Sequence, residues 1–150
     1  MQCASHSFAR CYAADPESVG RARAELARFA SHAGASPTLV DGLRLAVSEA
    51  VTNAVRHAYP LDAGEVRVRA LVGDDALEVV VSDDGCGVHR SDVSGGRNDT
   101  DDVGLGFGLA LICAVSDEMT LAPRSDGGTD VRMRFSLPGA VSSGAAAHQL

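Results

Sequence analysis

The chain has 150 residues and a mass of 15.4 kDa, with 45% hydrophobic and 22% charged residues, which suits one globular domain and excludes a disordered chain. Its formal net charge of −7 and pI near 5.0 exclude the basic face that nucleic-acid binding needs, and no run approaches the roughly 20 apolar residues of a membrane span. With no tryptophan and 4% aromatics, the core falls to Val, Leu, Ala and Ile, as in helices packed on a sheet. The N-terminus lacks the basic start and apolar run of a signal peptide. Cys3, Cys11, Cys86 and Cys113 form no C-x-x-C pair and no metal spacing with His, so reduced thiols in the cytoplasm are expected.

In chain order, residues 6–13 read as a first strand. Asp15-Pro16-Glu17 predicts a helix start, with a capping carboxylate, proline at the first helical position and an acid in the first turn. Val19, Ala22, Leu26, Phe29 and Ala30 continue it at helical spacing to His32. Ser36-Pro37 opens a second helix, with an apolar face through Val40, Leu43, Ala46, Val47, Ala50, Val51, Ala54 and Val55, ending near Tyr59-Pro60. Val66, Val68 and Ala70 alternate with arginines, and Leu77 to Val81 follow the Gly73-Asp74-Asp75 turn, which predicts a β-hairpin. Residues 86–104 are polar, glycine-rich and aperiodic, the pattern of a long functional loop or lid. A helix over 105–115 and strands over 119–122 and 129–137 complete the pattern, and residues 138–150 read as a disordered tail after one domain spanning 1–137. The order β-α-α-β-β-loop-α-β-β predicts an α/β (α+β) two-layer sandwich, with helices on one face of a mixed, mainly antiparallel sheet.

Four short motifs carry chemistry. Glu49 and Asn53 are four residues apart and share a helix face, and the apolar stripe lies mostly on others, so both point toward a cleft. An Asn carbonyl oxygen is a hard ligand suited to magnesium, and a carboxylate one turn away suits proton abstraction. A strand runs into Asp83-Asp84-Gly85-Cys86-Gly87, where a carboxylate can accept an exocyclic amine and the glycines let backbone approach a base. Gly104-Leu105-Gly106-Phe107-Gly108 stands where the loop meets a helix, and amides at a helix N-terminus cradle phosphate. Gly127-Gly128-Thr129 enters the last strand, placing a hydroxyl near Asp83. Each feature alone has an ordinary explanation: a solvated Glu/Asn pair, an Asp-Gly turn, a glycine linker, a Gly-Gly turn. No G-x-x-x-x-G-K-[ST] occurs, so a Walker-type site is excluded. Their joint order outweighs the four separate explanations.

The run Ser48-Glu49-Ala50-Val51-Thr52-Asn53-Ala54-Val55-Arg56-His57-Ala58-Tyr59 resembles the N box of the GHKL (Bergerat-fold) ATPases, and is closest to the anti-sigma factor serine kinases with their NA-x-x-HAY pattern. Asp83 to Gly87 is similar to the family's G1 box, Gly104 to Gly108 to its G2 box, and Gly128-Thr129 to its closing GT, over residues 8–136 in all. The resemblance implies a Bergerat fold that binds ATP and Mg2+, with Glu49 as catalytic base, Asn53 as magnesium ligand and Asp83 as adenine anchor. It also implies nucleotide contacts from His57, Gly85, Gly87, Arg97, Gly104, Gly106, Phe107, Gly108 and Thr129. It implies a homodimer that sequesters a sigma factor and phosphorylates a serine on an antagonist of the STAS type, and the charge and hydropathy above imply no nucleic-acid or membrane partner.

One stretch departs from that family, in which a basic residue often precedes the G2 glycines. Here Asp99-Thr100-Asp101-Asp102-Val103 stands there, and Arg97 is the nearest base. Carboxylates beside a triphosphate repel it, so slow transfer is expected unless the acids turn outward or a cation intervenes. Two other readings therefore stay open: an ATP-binding module that switches protein partners without transfer, and a detached histidine-kinase-type ATPase domain. No phosphoacceptor-histidine helix precedes the domain, which weighs against a sensor histidine kinase. The arginines at 21, 23 and 28 on the first helix read either as a protein-docking face or as an ordinary solvated face.

Overall fold

The computed structural model describes residues 6–58, 64–85 and 103–137. Strand β1 (Ser7–Ala13) is followed by helices α1 (Pro16–His32) and α2 (Pro37–Asn53), and α2 runs into a π-turn at Ala54–Ala58. Strands β2 (Glu65–Val72) and β3 (Ala76–Asp83) form the hairpin, helix α3 spans Val103–Val115, and β4 (Glu118–Pro123) and β5 (Thr129–Ser136) close the described chain.

The helix starts follow capping chemistry. Asp15 accepts a hydrogen bond from the Ser18 amide at 2.9 Å, and Ser36 accepts one from the Leu39 amide at 3.2 Å, each ahead of a proline in the first turn. The amide bonds at Ser18 hold the Asp15 carboxyl below the usual carboxylate range. α2 ends differently from its sequence pattern: the α-ladder stops at Asn53 and the backbone continues to Ala58 in the wider π form. α3 begins at Val103, so Gly104 is helical and does not belong to the expected loop.

The sheet order is β1-β2-β3-β5-β4, and all four pairings are antiparallel, where the sequence left room for a mixed sheet. α2 packs on both α1 and α3, making it the middle of the helix layer. Alternation along the strands sends Val66, Val68, Val79, Val81, Val131 and Met133 inward against Leu43, Val47, Val51 and Ile112. Fully burying each such side chain contributes about 1.5–3 kcal/mol, so this layer is the main source of stability. The opposite, outer face carries Arg67, Arg69, Glu78, Arg132 and Arg134 in register rows. No helix among the described residues is long and apolar enough to cross a membrane. The expected tail at 138–150 lies outside the described residues.

Candidate functional site

The core geometry decides where the polar motif residues end up. β3 and β5 run antiparallel with Asp83, the last residue of β3, directly opposite Thr129, the first residue of β5. The π-turn after α2 packs on β3, so the end of α2 lies over this end of the sheet. α3 packs along α2 and adds a third wall.

Two clusters form there. In the first, Glu49 is half-buried and Asn53 is 9% exposed, at the last residue of α2. Asn53 thus continues the apolar stripe of α2, whereas the sequence placed both polar groups mostly off it; the neighbouring α3 covers that side. Gly108 of α3 faces both groups. A Cβ at that position would stand 3.0 Å from Glu49 Oε2, 3.1 Å from Asn53 Nδ2 and 3.3 Å from Asn53 Oδ1. Gly108 is the sixth residue of α3, so its amide belongs to the helix ladder and its contribution is space: no larger residue lets the carboxylate and the amide converge on α3.

In the second cluster, Asp83 is 8% exposed and Thr129 is 3% exposed. The Gly85 amide donates to Asp83 Oδ1 at 3.0 Å. Burial raises the Asp83 carboxyl above the usual carboxylate range, with the neighbouring Asp84 charge adding to it, and the amides of Gly85 and Thr129 and the charge of Arg124 oppose it. Gly128 fixes the approach of the two strands. It has φ +90°, and a Cβ there would collide with the carbonyl oxygen of Asp83. Only glycine fits that backbone and that clearance.

Among the described residues, Asn53 Nδ2 and Thr129 Oγ1 are buried without a hydrogen-bond partner. Buried polar atoms are normally satisfied, so these two mark places where a polar ligand completes the bonding. The donor set is right for a nucleotide with a hard cation: an amide, a carboxylate, a buried hydroxyl and an acid beside glycine backbone.

Of the residues expected from sequence, the structure brings Glu49, Asn53 and Gly108 together, and Asp83, Gly85 and Thr129 together, at one end of the sheet. Gly104, Gly106 and Phe107 lie in the first turns of α3, and His57 lies in the π-turn. The side chains of His57 and Phe107 lie outside the described residues, as do Gly87, Arg97 and the acidic stretch 99–102. Sequence reasoning missed Arg67 and Arg124, which both donate to Asp84 Oδ1, at 2.8 and 2.9 Å, and so pin the turn next to Asp83. Hairpin register was the available signal: it sets Arg67 opposite Ser82, on the same face as Asp84.

The fold and this site define an ATPase domain of the histidine-kinase type. The chain belongs to the histidine kinase-like ATPase domain family, whose model matches residues 12–135. Within the family it is similar to the serine-protein kinase RsbW. The Listeria monocytogenes RsbW is 38% identical over 116 residues, covering 72% of this chain and 74% of the relative. The Bacillus subtilis RsbW is 49% identical over 73 residues, covering 48% of this chain and 46% of the relative. The chain thus spans about half the length of most of the curated relatives it matches, 46% in the Bacillus subtilis case. Among solved structures, the RsbU and RsbW domains of a Mycobacterium tuberculosis protein share the fold with a TM-score of 0.66 at 24% identity, over 87% of this chain and 32% of that one. The histidine kinase domain of a blue-light activated kinase from Erythrobacter litoralis does so at 0.56 and 23%, over 79% and 61%.

Proposed function

We propose that the chain is an ATP-dependent protein serine kinase that also acts as an anti-sigma factor. The observation that carries this reading is the convergence of Glu49 and Asn53 on the bare Cα of Gly108, within 3.0–3.3 Å of a notional Cβ. A carboxylate half out of water beside a buried amide has the makings of a proton acceptor next to a cation ligand.

In this reading the Asn53 amide oxygen holds Mg2+, which when bound neutralises charge on the phosphates of ATP. Glu49 accepts the proton of the attacking serine hydroxyl. Asp83 accepts the exocyclic amine of adenine and Thr129 supplies a second polar contact, both buried side chains facing each other across the β3–β5 pairing. The first turn of α3, at Gly104, offers free amides toward phosphate. The similarity to RsbW supports serine as the acceptor. The family resemblance supports a STAS-type antagonist as the protein substrate, a sigma factor as the sequestered partner, a homodimer as the assembly and the cytoplasm as the location.

The test uses purified protein, labelled Mg·ATP and a STAS-type antagonist. Glu49→Gln should retain nucleotide binding by calorimetry and lose transfer to serine by about 10²–10⁴-fold. Asn53→Ala should lose the magnesium dependence of binding. Undiminished transfer in Glu49→Gln overturns its role. Adenine-selective binding with no phosphoserine in the unsubstituted protein replaces the kinase reading with a nucleotide-dependent partner switch, and acid-labile phosphohistidine replaces it with a detached histidine-kinase domain.

A further inference from the structure

The outer face of the sheet holds a second polar site, behind Asp83 and Thr129. Arg67, Arg69, Ser82, Arg124 and Asp130 line a cavity of about 230 Å³. That is below the ~300 Å³ at which pockets for drug-sized ligands begin, and it suits an ion of a few atoms. The register puts Arg67, Ser82 and Asp130 in one row across β2, β3 and β5, with Arg69 one row along, beside Val80.

Three kinds of group meet in this cavity. The first is cationic. Arg67 and Arg124 form the pairs with Asp84 described above, whereas Arg69 is exposed and forms no ion pair among the described residues. The second is a hydroxyl. Ser82 is 2% exposed, and its Oγ has no hydrogen-bond partner among the described residues. The third is a carboxylate. Asp130 is 8% exposed; its Oδ2 accepts from Arg132 at 3.2 Å, and its Oδ1 lies 4.0 Å from Arg124 Nε with no hydrogen bond among the described residues.

A fully deprotonated oxyanion satisfies the arginine and the hydroxyl but is repelled by Asp130. A neutral water brings no negative charge to a lining that carries three arginines against one aspartate. An oxyanion that keeps a proton satisfies all three: its oxygens accept from Arg69 and Ser82, and its own O–H donates to Asp130 Oδ1. Inorganic phosphate keeps at least one proton at neutral pH, and sulfate keeps none. We infer that this cavity is a binding site for inorganic phosphate, selected over sulfate by the hydrogen bond that Asp130 accepts.

Arg69, Ser82 and Asp130, which would hold the ion, are not among the proposed nucleotide contacts, and only Arg67 and Arg124, which pin the turn beside Asp83, border both sites, so the test runs without nucleotide. The full chain is titrated calorimetrically at neutral pH and constant ionic strength with sodium phosphate and, separately, sodium sulfate. Saturable one-to-one phosphate binding is expected, with sulfate weaker by about tenfold or more, the size of one charge-assisted hydrogen bond. Arg69→Gln, on an exposed strand position, and Ser82→Ala, which removes a hydroxyl without a partner, should each weaken phosphate by about tenfold. Asp130→Asn should bring the two anions to similar affinity, because its amide donates to sulfate. Asn53→Ala should leave phosphate binding unchanged, which separates this site from the nucleotide cleft. Equal affinity for the two anions in the unsubstituted protein, no phosphate binding at all, or binding that survives Arg69→Gln in a chain with unchanged circular dichroism each overturns the assignment.

Discussion

The two ends of the sheet are built to different rules. At the end where β2 turns into β3, the protein satisfies its own polar groups. Arg134 donates to Asp75 Oδ2 at 2.8 Å, the Ser136 amide to Asp117 Oδ2 at 2.6 Å, and the Leu137 amide to the Asp75 carbonyl at 2.9 Å. At the other end, where β3 finishes and β5 starts, stand all four buried side-chain atoms that have no partner among the described residues: Asn53 Nδ2, Ser82 Oγ, Thr129 Oγ1 and Asp130 Oδ1. An unpaired buried polar atom costs about 1–3 kcal/mol, so a domain of marginal stability holds four in one place only if something offsets them. The closed end serves folding, and the open end gives up some folding energy to keep donors and acceptors ready for ligands.

Substitutions at each end sharpen that contrast. The largest effect is expected from Gly128→Ala at the open end, where a Cβ collides with the Asp83 carbonyl and the backbone sits at positive φ. Adding the conformational and overpacking terms gives a loss of about 3 kcal/mol or more, read as a shift in urea midpoint with nucleotide binding lost alongside. Gly108→Ala separates stability from activity. Alanine favours the helix by up to about 1 kcal/mol, which offsets the small shift that the Glu49 tip and the buried Asn53 amide must make, so the urea midpoint should hardly move. Displacing that carboxylate should still cut serine transfer by about 10²-fold, the penalty of a misplacement near 1 Å. A fall in stability with unimpaired transfer would break the distinction.

Asp83→Asn gives a smaller effect with a definite sign. Because burial raises its carboxyl, the folded ligand-free protein binds this proton more tightly than the unfolded chain does. Its contribution to stability is therefore present at low pH and declines as pH rises from the ordinary carboxylate value through the raised one. Asparagine removes that decline, so at neutral pH thermal unfolding of the ligand-free variant should occur at or above the temperature of the parent. Selectivity for ATP over GTP should fall by about tenfold in calorimetry. The smallest effect belongs to the closed end: Arg134→Ala breaks a solvent-exposed pair and should cost less than about 1 kcal/mol, with nucleotide affinity unchanged.

Much of the fold was legible because it rests on local chemistry. Asp15-Pro16 and Ser36-Pro37 announce their helices by capping, and Val66, Val68 and Ala70 announce a half-buried strand by alternation. Features set by distant packing were not legible. Nothing near Ala54 signals that the α-ladder gives way to a π-turn there, and nothing near Asn53 signals that α3 buries it. Glycine at 104 read as loop, yet the apolar run behind it carries the helix back to Val103. At the site, the residue types named Glu49, Asn53, Asp83 and Thr129, which the structure gathers at one end of the sheet. The roles of Gly108 and of the Arg67–Asp84–Arg124 group depend on which elements become neighbours, and that is a property of topology.

The π-turn at Ala54–Ala58 bears on how length changes can be absorbed. A π-turn amounts to one residue inserted into an α-helix, with hydrogen bonds closing over five residues and not four. Everything up to Asn53 keeps its phase, and everything beyond is rotated by the extra residue. Deleting a single residue from this segment would return the backbone to an unbroken α-helix. The same deletion made one turn earlier, at Ala50, would rotate Asn53 away from Gly108. The helix therefore has one segment where a shortening is absorbed as regular structure, and it begins immediately past Asn53.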